Sequence, residues 1–225
     1  MINPSDSISG ATVEKTEQHI RLAFDQPRPV LSSAVLNGGF YLAHQVLNLR
    51  VDRESDTKES PQTTLTRYCQ HHRWSEQTVG MMTAAAMNSF RQFSTKEQGV
   101  ELSVIVTTGL ENARAAGDPA DWNRIEDQAY AFGTINTIVL SSASLTPAAM
   151  VEVVAVATEA KAAAMRQLDV VSQVSGEIAT GTGTDAIAVV SGDGPSVSYC
   201  GKHTLLGELL AKGVMQTIKE SVNYQ

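Results

Sequence analysis

The chain has 225 residues, 42% of them apolar and 18% charged, which suits one well-cored domain and argues against a disordered chain. A formal net charge of −7, with no basic run, excludes the concentrated Lys/Arg surface that a nucleic-acid partner needs. Two cysteines, Cys69 and Cys200, are too few for a disulfide framework or a four-ligand zinc site.

The first residues, MINPSDSISG, lack a basic region followed by an apolar one, so secretion is not expected. The longest low-charge stretch, residues 145–168, still holds Glu152, Glu159, Lys161 and Arg166, which an ordinary membrane span would not carry. A cytoplasmic protein with no membrane partner is the expectation.

In chain order, residues 1–15 are expected to be a flexible amino-terminal segment ahead of a single domain over 16–225. Residues 18–24 partly alternate as a half-buried strand does. Gln26-Pro27-Arg28-Pro29 breaks that run, residues 30–36 resume it, and Asn37-Gly38-Gly39 ends it with residues that accept positive φ. Residues 46–51 alternate again, residues 52–60 read as a solvated loop, and Pro61 suits the first turn of a helix reaching about His72. Residues 79–86 and 101–107 are strand candidates, the second rich in β-branched side chains. A polar connection over 109–119 precedes another strand at 133–140.

Thr146-Pro147 opens the clearest helix, with a capping hydroxyl and a proline at the first helical position. Glu152, Glu159 and Arg166 recur every seven residues as a polar stripe, opposite Met150, Val153, Val154, Ala157, Ala164 and Leu168. Residues 185–190 form a short strand after a glycine-rich turn, and residues 197–200 pair beside it across Gly192-Asp193-Gly194-Pro195. The last helix runs over 204–222, with Leu206, Leu209, Leu210, Val214 and Ile218 on one face. This order predicts an α/β fold, with α+β as the alternative: a single domain with a mixed β-sheet covered by helices. The βαβ piece over 133–190 crosses right-handed if its strands are parallel neighbours.

Five glycine-containing polar segments stand at strand ends, where functional loops tend to sit. They begin at Asn37, Thr107, Gly133, Ser175 and Cys200. The run from Ser175 to Asp185 carries two carboxylates, Glu177 and Asp185, among small hydroxyl residues. It reads either as a plain polar loop or as a close approach of backbone and carboxylate to a ligand. Cys200-Gly201-Lys202-His203-Thr204 enters the last helix, whose first amides favour an anion or oxyanion. It fails the phosphate-loop pattern, because Ser196 stands where glycine is needed and His203 where Ser or Thr is needed. ATP binding is therefore not expected.

Cys200 and His203 are three residues apart, which admits a thiol nucleophile or part of a zinc site; a buried structural cysteine is the plainer alternative. His71 and His72 are adjacent, so their rings diverge on a helix, and His44 reads as a partly buried histidine. There is no Gly-x-Ser-x-Gly elbow and no His-Glu-x-x-His.

Several segments together resemble one family, the adenosylcobinamide amidohydrolases (CbiZ). They are Val35-Leu36-Asn37-Gly38-Gly39, the run from Thr107 to Asp118, Gly133-Thr134-Ile135-Asn136-Thr137-Ile138, the run from Thr158 to Ala164, the run from Ser175 to Asp185, and the run from Gly201 to Glu208. The resemblance implies hydrolysis of the amide between a corrin propionate and aminopropanol, giving adenosylcobyric acid, in corrinoid salvage or remodelling. A non-catalytic corrinoid-binding or trafficking protein is the alternative. Amide hydrolysis needs a base, an oxyanion stabiliser and an acid for the departing amine. Asp185, with Glu177 as partner, is the expected base, and Lys202 and His203 the expected oxyanion and proton groups. Asn37, Gly38, Asn112, Arg114, Asn136, Thr182 and Thr184 are expected to contact the substrate, the asparagines through its carboxamides. No metal ligand or cofactor is expected, since cobalt arrives with the corrinoid; a homo-oligomer is left open.

Overall fold

The computed structural model describes residues 7–8, 10–51, 59–74, 77–121 and 134–223. Strands β1 (Ser7–Ile8), β2 (Ala11–Lys15), β3 (His19–Ser32) and β4 (Gly39–Arg50) precede helix α1 (Pro61–His71). Strands β5 (Thr78–Thr83), β6 (Arg91–Glu97), β7 (Val100–Thr108), β8 (Ala113–Arg114), β9 (Ile135–Ser141) and β10 (Ser144–Leu145) lead to α2 (Pro147–Gln167). Then come β11 (Gly181–Thr182), β12 (Ala186–Val190), β13 (Ser196–Val197) and α3 (Leu205–Val222). Among the described residues, nine strands form one mixed sheet in the order β1-β2-β3-β12-β9-β7-β6, with β4 and β5 branching from β3.

That sheet folds into two layers, as the alternation of each strand records. In β9, Ile135 and Val139 face the helices, while Ile138 and Leu140 face the other layer. In β7, Leu102, Val104 and Val106 share the helix-facing core, and Ile105 turns inward. From the opposite layer Ile20, Leu22, Val46, Val79 and Met81 fill the space between, whereas Leu47 and Leu49 point outward onto Leu65 and Cys69 of α1. The order through the molecule is α1, the β3–β4–β5 layer, the β12–β9–β7–β6 layer, then α2 and α3. Period-two burial on both faces is what lets one sheet pack on a sheet and on helices at once.

The capped start of α2 is as expected: Thr146 Oγ1 accepts from the Ala149 amide at 3.2 Å, with proline in the first turn. β9 and β12 are parallel neighbours joined through α2. Three expectations change. Residues 11–15 are a strand paired with β3 rather than part of a flexible segment; Ala11 and Val13 are buried there. The prolines at 27 and 29 do not end the first long strand: β3 continues through a register shift between Ala23 and Arg28. Residues 196–197 pair in parallel with β10, not beside β12. Residues 52–58 of the expected solvated loop lie outside the described residues.

Candidate functional site

The amino-terminal ends of β9 and β12 meet the carboxyl-terminal end of β7, and the two longest glycine-containing motifs fold together over that edge. β8 and β11 pair antiparallel, Gly181 opposite Arg114 and Thr182 opposite Ala113. Outside the ladder, the Thr180 amide donates to the Arg114 carbonyl at 2.8 Å and the Gly183 amide to the Asn112 carbonyl at 3.2 Å. Thr134 joins them, its hydroxyl donating to the Thr184 carbonyl at 2.7 Å.

Asp185 is the hub. Its Oδ1 accepts from Thr182 Oγ1 at 2.5 Å and from the Ile135 amide at 2.9 Å. Its Oδ2 accepts from the Thr182 amide at 3.1 Å and from Lys161 Nζ, which reaches in from α2. The two charged side chains are only 16% (Lys161) and 14% (Asp185) exposed. Four donors on one carboxylate fill its lone-pair directions, and burial leaves the ion pair little screened by water. Gly181 makes the approach feasible: a Cβ there would lie 2.2 Å from Asp185 Oδ2 and 3.0 Å from Lys161 Nζ. The charged partner of Asp185 is thus Lys161 rather than the expected Glu177.

Beside the hub, Asn112 is the group left unspent. Both its Nδ2 and Oδ1 are buried without a hydrogen-bond partner among the described residues. Buried amides in native folds are nearly always paired, so this amide calls for a water or another molecule as its partner. Its Nδ2 would be 3.2 Å from a Cβ on Gly183, and Arg114 Nε would be 3.5 Å from the same point. The Arg114 guanidinium donates to the Pro119 carbonyl at 2.9 Å and pairs with Asp121. Asp118 braces the same loop, accepting from the Ala115 amide at 2.8 Å and from Ser172 Oγ at 2.5 Å. The hydroxyls of Ser172 and Ser175 hold its carboxyl below the usual range.

Of the expected site residues, Asp185, Thr182, Thr184, Asn112 and Arg114 therefore come together. Among the described residues, none of the others hydrogen-bonds Asp185. Asn136 is 1% exposed and its amide is consumed inside the molecule, donating to Asn48 Oδ1 at 2.7 Å and the Met82 carbonyl at 2.9 Å. It ties the two sheet layers together and accepts from Thr134 Oγ1 at 3.1 Å, beside the Asp185 cluster. Asn37 donates to the Thr78 carbonyl at 2.8 Å, and with Gly38 it forms the turn beside β5. Gly133 lies outside the described residues. Glu177 is exposed on the turn closed by the Val171–Ile178 bridge.

Lys202 and His203 are exposed ahead of α3, and Lys202 pairs with Glu159 of α2. The far end of α3 is the one near Asp185: Ser221 Oγ lies 2.7 Å from Thr108 Oγ1, and Thr108 pairs with Ile135. Helical rise puts the start of α3 about 25 Å from that end. Cys200 is fully buried, and burial together with the Glu152 carboxylate pushes its thiol up to about 11, so a reactive thiolate is disfavoured. Among the described residues no three or more His, Cys, Asp or Glu side chains gather as a metal site would require.

Lys161 is the member of this cluster that the sequence reading passed over as a site residue. It lies four residues after Ala157 and three before Ala164, on the apolar face of α2. A cation on an apolar face needs a partner, and that was the available signal.

A separate cleft of about 570 Å³, lined by Asp25, Arg28, Lys96, Glu101 and Asp193 among others, opens at the other ends of β9 and β12. Lys96 and Glu101 pair there at 2.7 Å. Among the described residues, no helix is long and apolar enough to cross a membrane.

Among known proteins, a stretch of 91 residues is 44% identical to the uncharacterized protein MJ1613 of Methanocaldococcus jannaschii, covering 40% of this chain and 36% of that protein. Among solved structures, the chain is similar to the PH0078 protein from Pyrococcus horikoshii OT3, with TM-score 0.48 and 10% identity over 99% of this chain and 82% of that one. It is also similar to a Burkholderia sp. beta-aminopeptidase, with TM-score 0.43 and 12% identity over 96% of this chain and 80% of that one. The family model for adenosylcobinamide amidohydrolase matches residues 4–225, nearly the whole sequence. The chain belongs to the adenosylcobinamide amidohydrolase family.

Proposed function

We infer that the protein hydrolyses the amide joining a corrin-ring propionate to aminopropanol in adenosylcobinamide. The products are adenosylcobyric acid and 1-aminopropan-2-ol, as salvage or remodelling of corrinoids requires. The observation that carries this reading is the family match over residues 4–225. The cluster at Asp185 supports it by gathering a carboxylate, a hydroxyl and a lysine from several elements at one strand-end edge.

In this reading Asp185 accepts the proton of the attacking hydroxyl group, and Lys161 holds the carboxylate in place. Asn112 offers an unspent amide to the developing oxyanion or to a carboxamide of the corrin. Arg114 and Thr184 flank the same turn. Glu177, Lys202 and His203 are given no step. The cobalt belongs to the substrate.

Incubating the protein with adenosylcobinamide and separating the corrinoids is the test. Adenosylcobyric acid and free aminopropanol are expected. Tight corrinoid binding without turnover would favour the non-catalytic binding protein, and no response to corrinoids would contradict both readings.

A further inference from the structure

We propose that Thr182 is the nucleophile, attacking the amide carbonyl through Oγ1 and carrying the acyl group as an ester before water releases it. The inference rests on the amidohydrolase reading and deepens it by naming the source of the proton that Asp185 takes.

Geometry separates this from direct attack by water. The oxygens of Asp185 already accept from Thr182 Oγ1, the Thr182 amide, the Ile135 amide and Lys161 Nζ. A water activated by Asp185 would have to displace one of these donors. The Thr182 hydroxyl displaces none, because its proton already lies on a 2.5 Å path to Oδ1. A nucleophile bonded to a base that a third group holds in place is the recurring pattern of acyl transfer. Lys161 is that third group, a positioning residue for Asp185. One residue after Thr182, a Cβ on Gly183 would lie 3.2 Å from Asn112 Nδ2, so the glycine leaves the approach to that amide open. An oxyanion formed at Thr182 would find its donor there.

The step balances. The Oγ1–C bond forms as the hydroxyl proton passes to Asp185, and the carbonyl π electrons move onto oxygen. Collapse restores the carbonyl and breaks the C–N bond, with the proton on Asp185 passing to the leaving nitrogen. Water then adds to the ester and gives a proton to Asp185. The second collapse releases the carboxylic acid, and Thr182 recovers its proton. One water is consumed per amide cleaved.

The test compares wild type, Thr182→Val and Thr182→Ser on adenosylcobinamide, with and without neutral hydroxylamine. Folding is followed by circular dichroism and corrinoid binding by absorbance. Thr182→Val is expected to lose roughly 10²–10⁴ of turnover while still binding the corrinoid, and Thr182→Ser to keep most of it. Wild type and Thr182→Ser should divert product to the corrinoid hydroxamate, and Thr182→Val should not. If Thr182→Val fails to fold, the hydroxylamine result on wild type decides alone. Near-normal turnover by Thr182→Val, or active wild type that yields acid and no hydroxamate, overturns the assignment. A wild type that releases no aminopropanol overturns the amidohydrolase reading, and the assignment with it.

Discussion

Helix α2 makes two lysine–carboxylate pairs from residues two apart, and they differ in almost everything that matters. Lys161 and Asp185 are 16% and 14% exposed, and Asp185 is bound by three further donors. Lys202 and Glu159 are 64% and 57% exposed and, among the described residues, hold only each other. Residues two apart on a helix point about 200° from one another, so α2 sends Lys161 into the sheet edge and Glu159 into solvent. Similar chemistry on the two faces has different consequences. An exposed pair is screened and pays side-chain entropy to form, while a buried charge that loses its partner has nowhere to find a substitute.

Lys161→Met should break the buried pair and leave the Asp185 charge without its cation. A loss of about 3 kcal/mol is expected, read as a fall of roughly 6–12 °C in Tm for a chain of this size, together with loss of turnover. Asn112→Leu sharpens the contrast from the other side. Its amide atoms are unpaired, so replacing them with an apolar group of similar shape should leave stability unchanged or raised. Turnover should nevertheless fall by about 10²–10³, the usual loss of an oxyanion donor. A matching loss of stability would mean that the amide holds the loop instead. Lys202→Ala is the smallest change, under about 1 kcal/mol with turnover retained; a large fall in activity would bring the α3 segment back into the chemistry.

Parts of this arrangement were legible in the sequence because the local chemistry was explicit. Thr146-Pro147 marks a helix start by capping and by fixed φ, and the helix begins there. Thr107–Arg114 and Ser175–Asp185 were read as site segments from their glycine turns, and they pair through β8 and β11. Strand β6 was not foreseen: Arg91, Gln92, Ser94, Thr95, Lys96 and Glu97 are the polar residues that keep a sheet edge from aggregating, and they hide the period of two. The Lys202–His203 segment looked functional because it opens a helix. In the fold, Thr204 caps that helix by accepting from the Gly207 amide at 3.1 Å, and Lys202 is engaged by Glu159. Asn136 looked like a substrate contact from its residue type alone. The partners that claim it, Asn48 and Met82, belong to strands far away in sequence, and only the packing of the two layers brings them close.

The central claim is that the carboxylate of Asp185 takes part in cleaving the corrinoid amide, and Asp185→Asn tests it most directly. The substitution preserves shape and one of the two accepting oxygens but removes the carboxylate that takes the proton. Turnover of adenosylcobinamide by the folded variant should fall by roughly 10²–10⁴, with corrinoid binding kept. Near-normal turnover would contradict the account, and loss of binding in step with turnover would make Asp185 a structural residue instead.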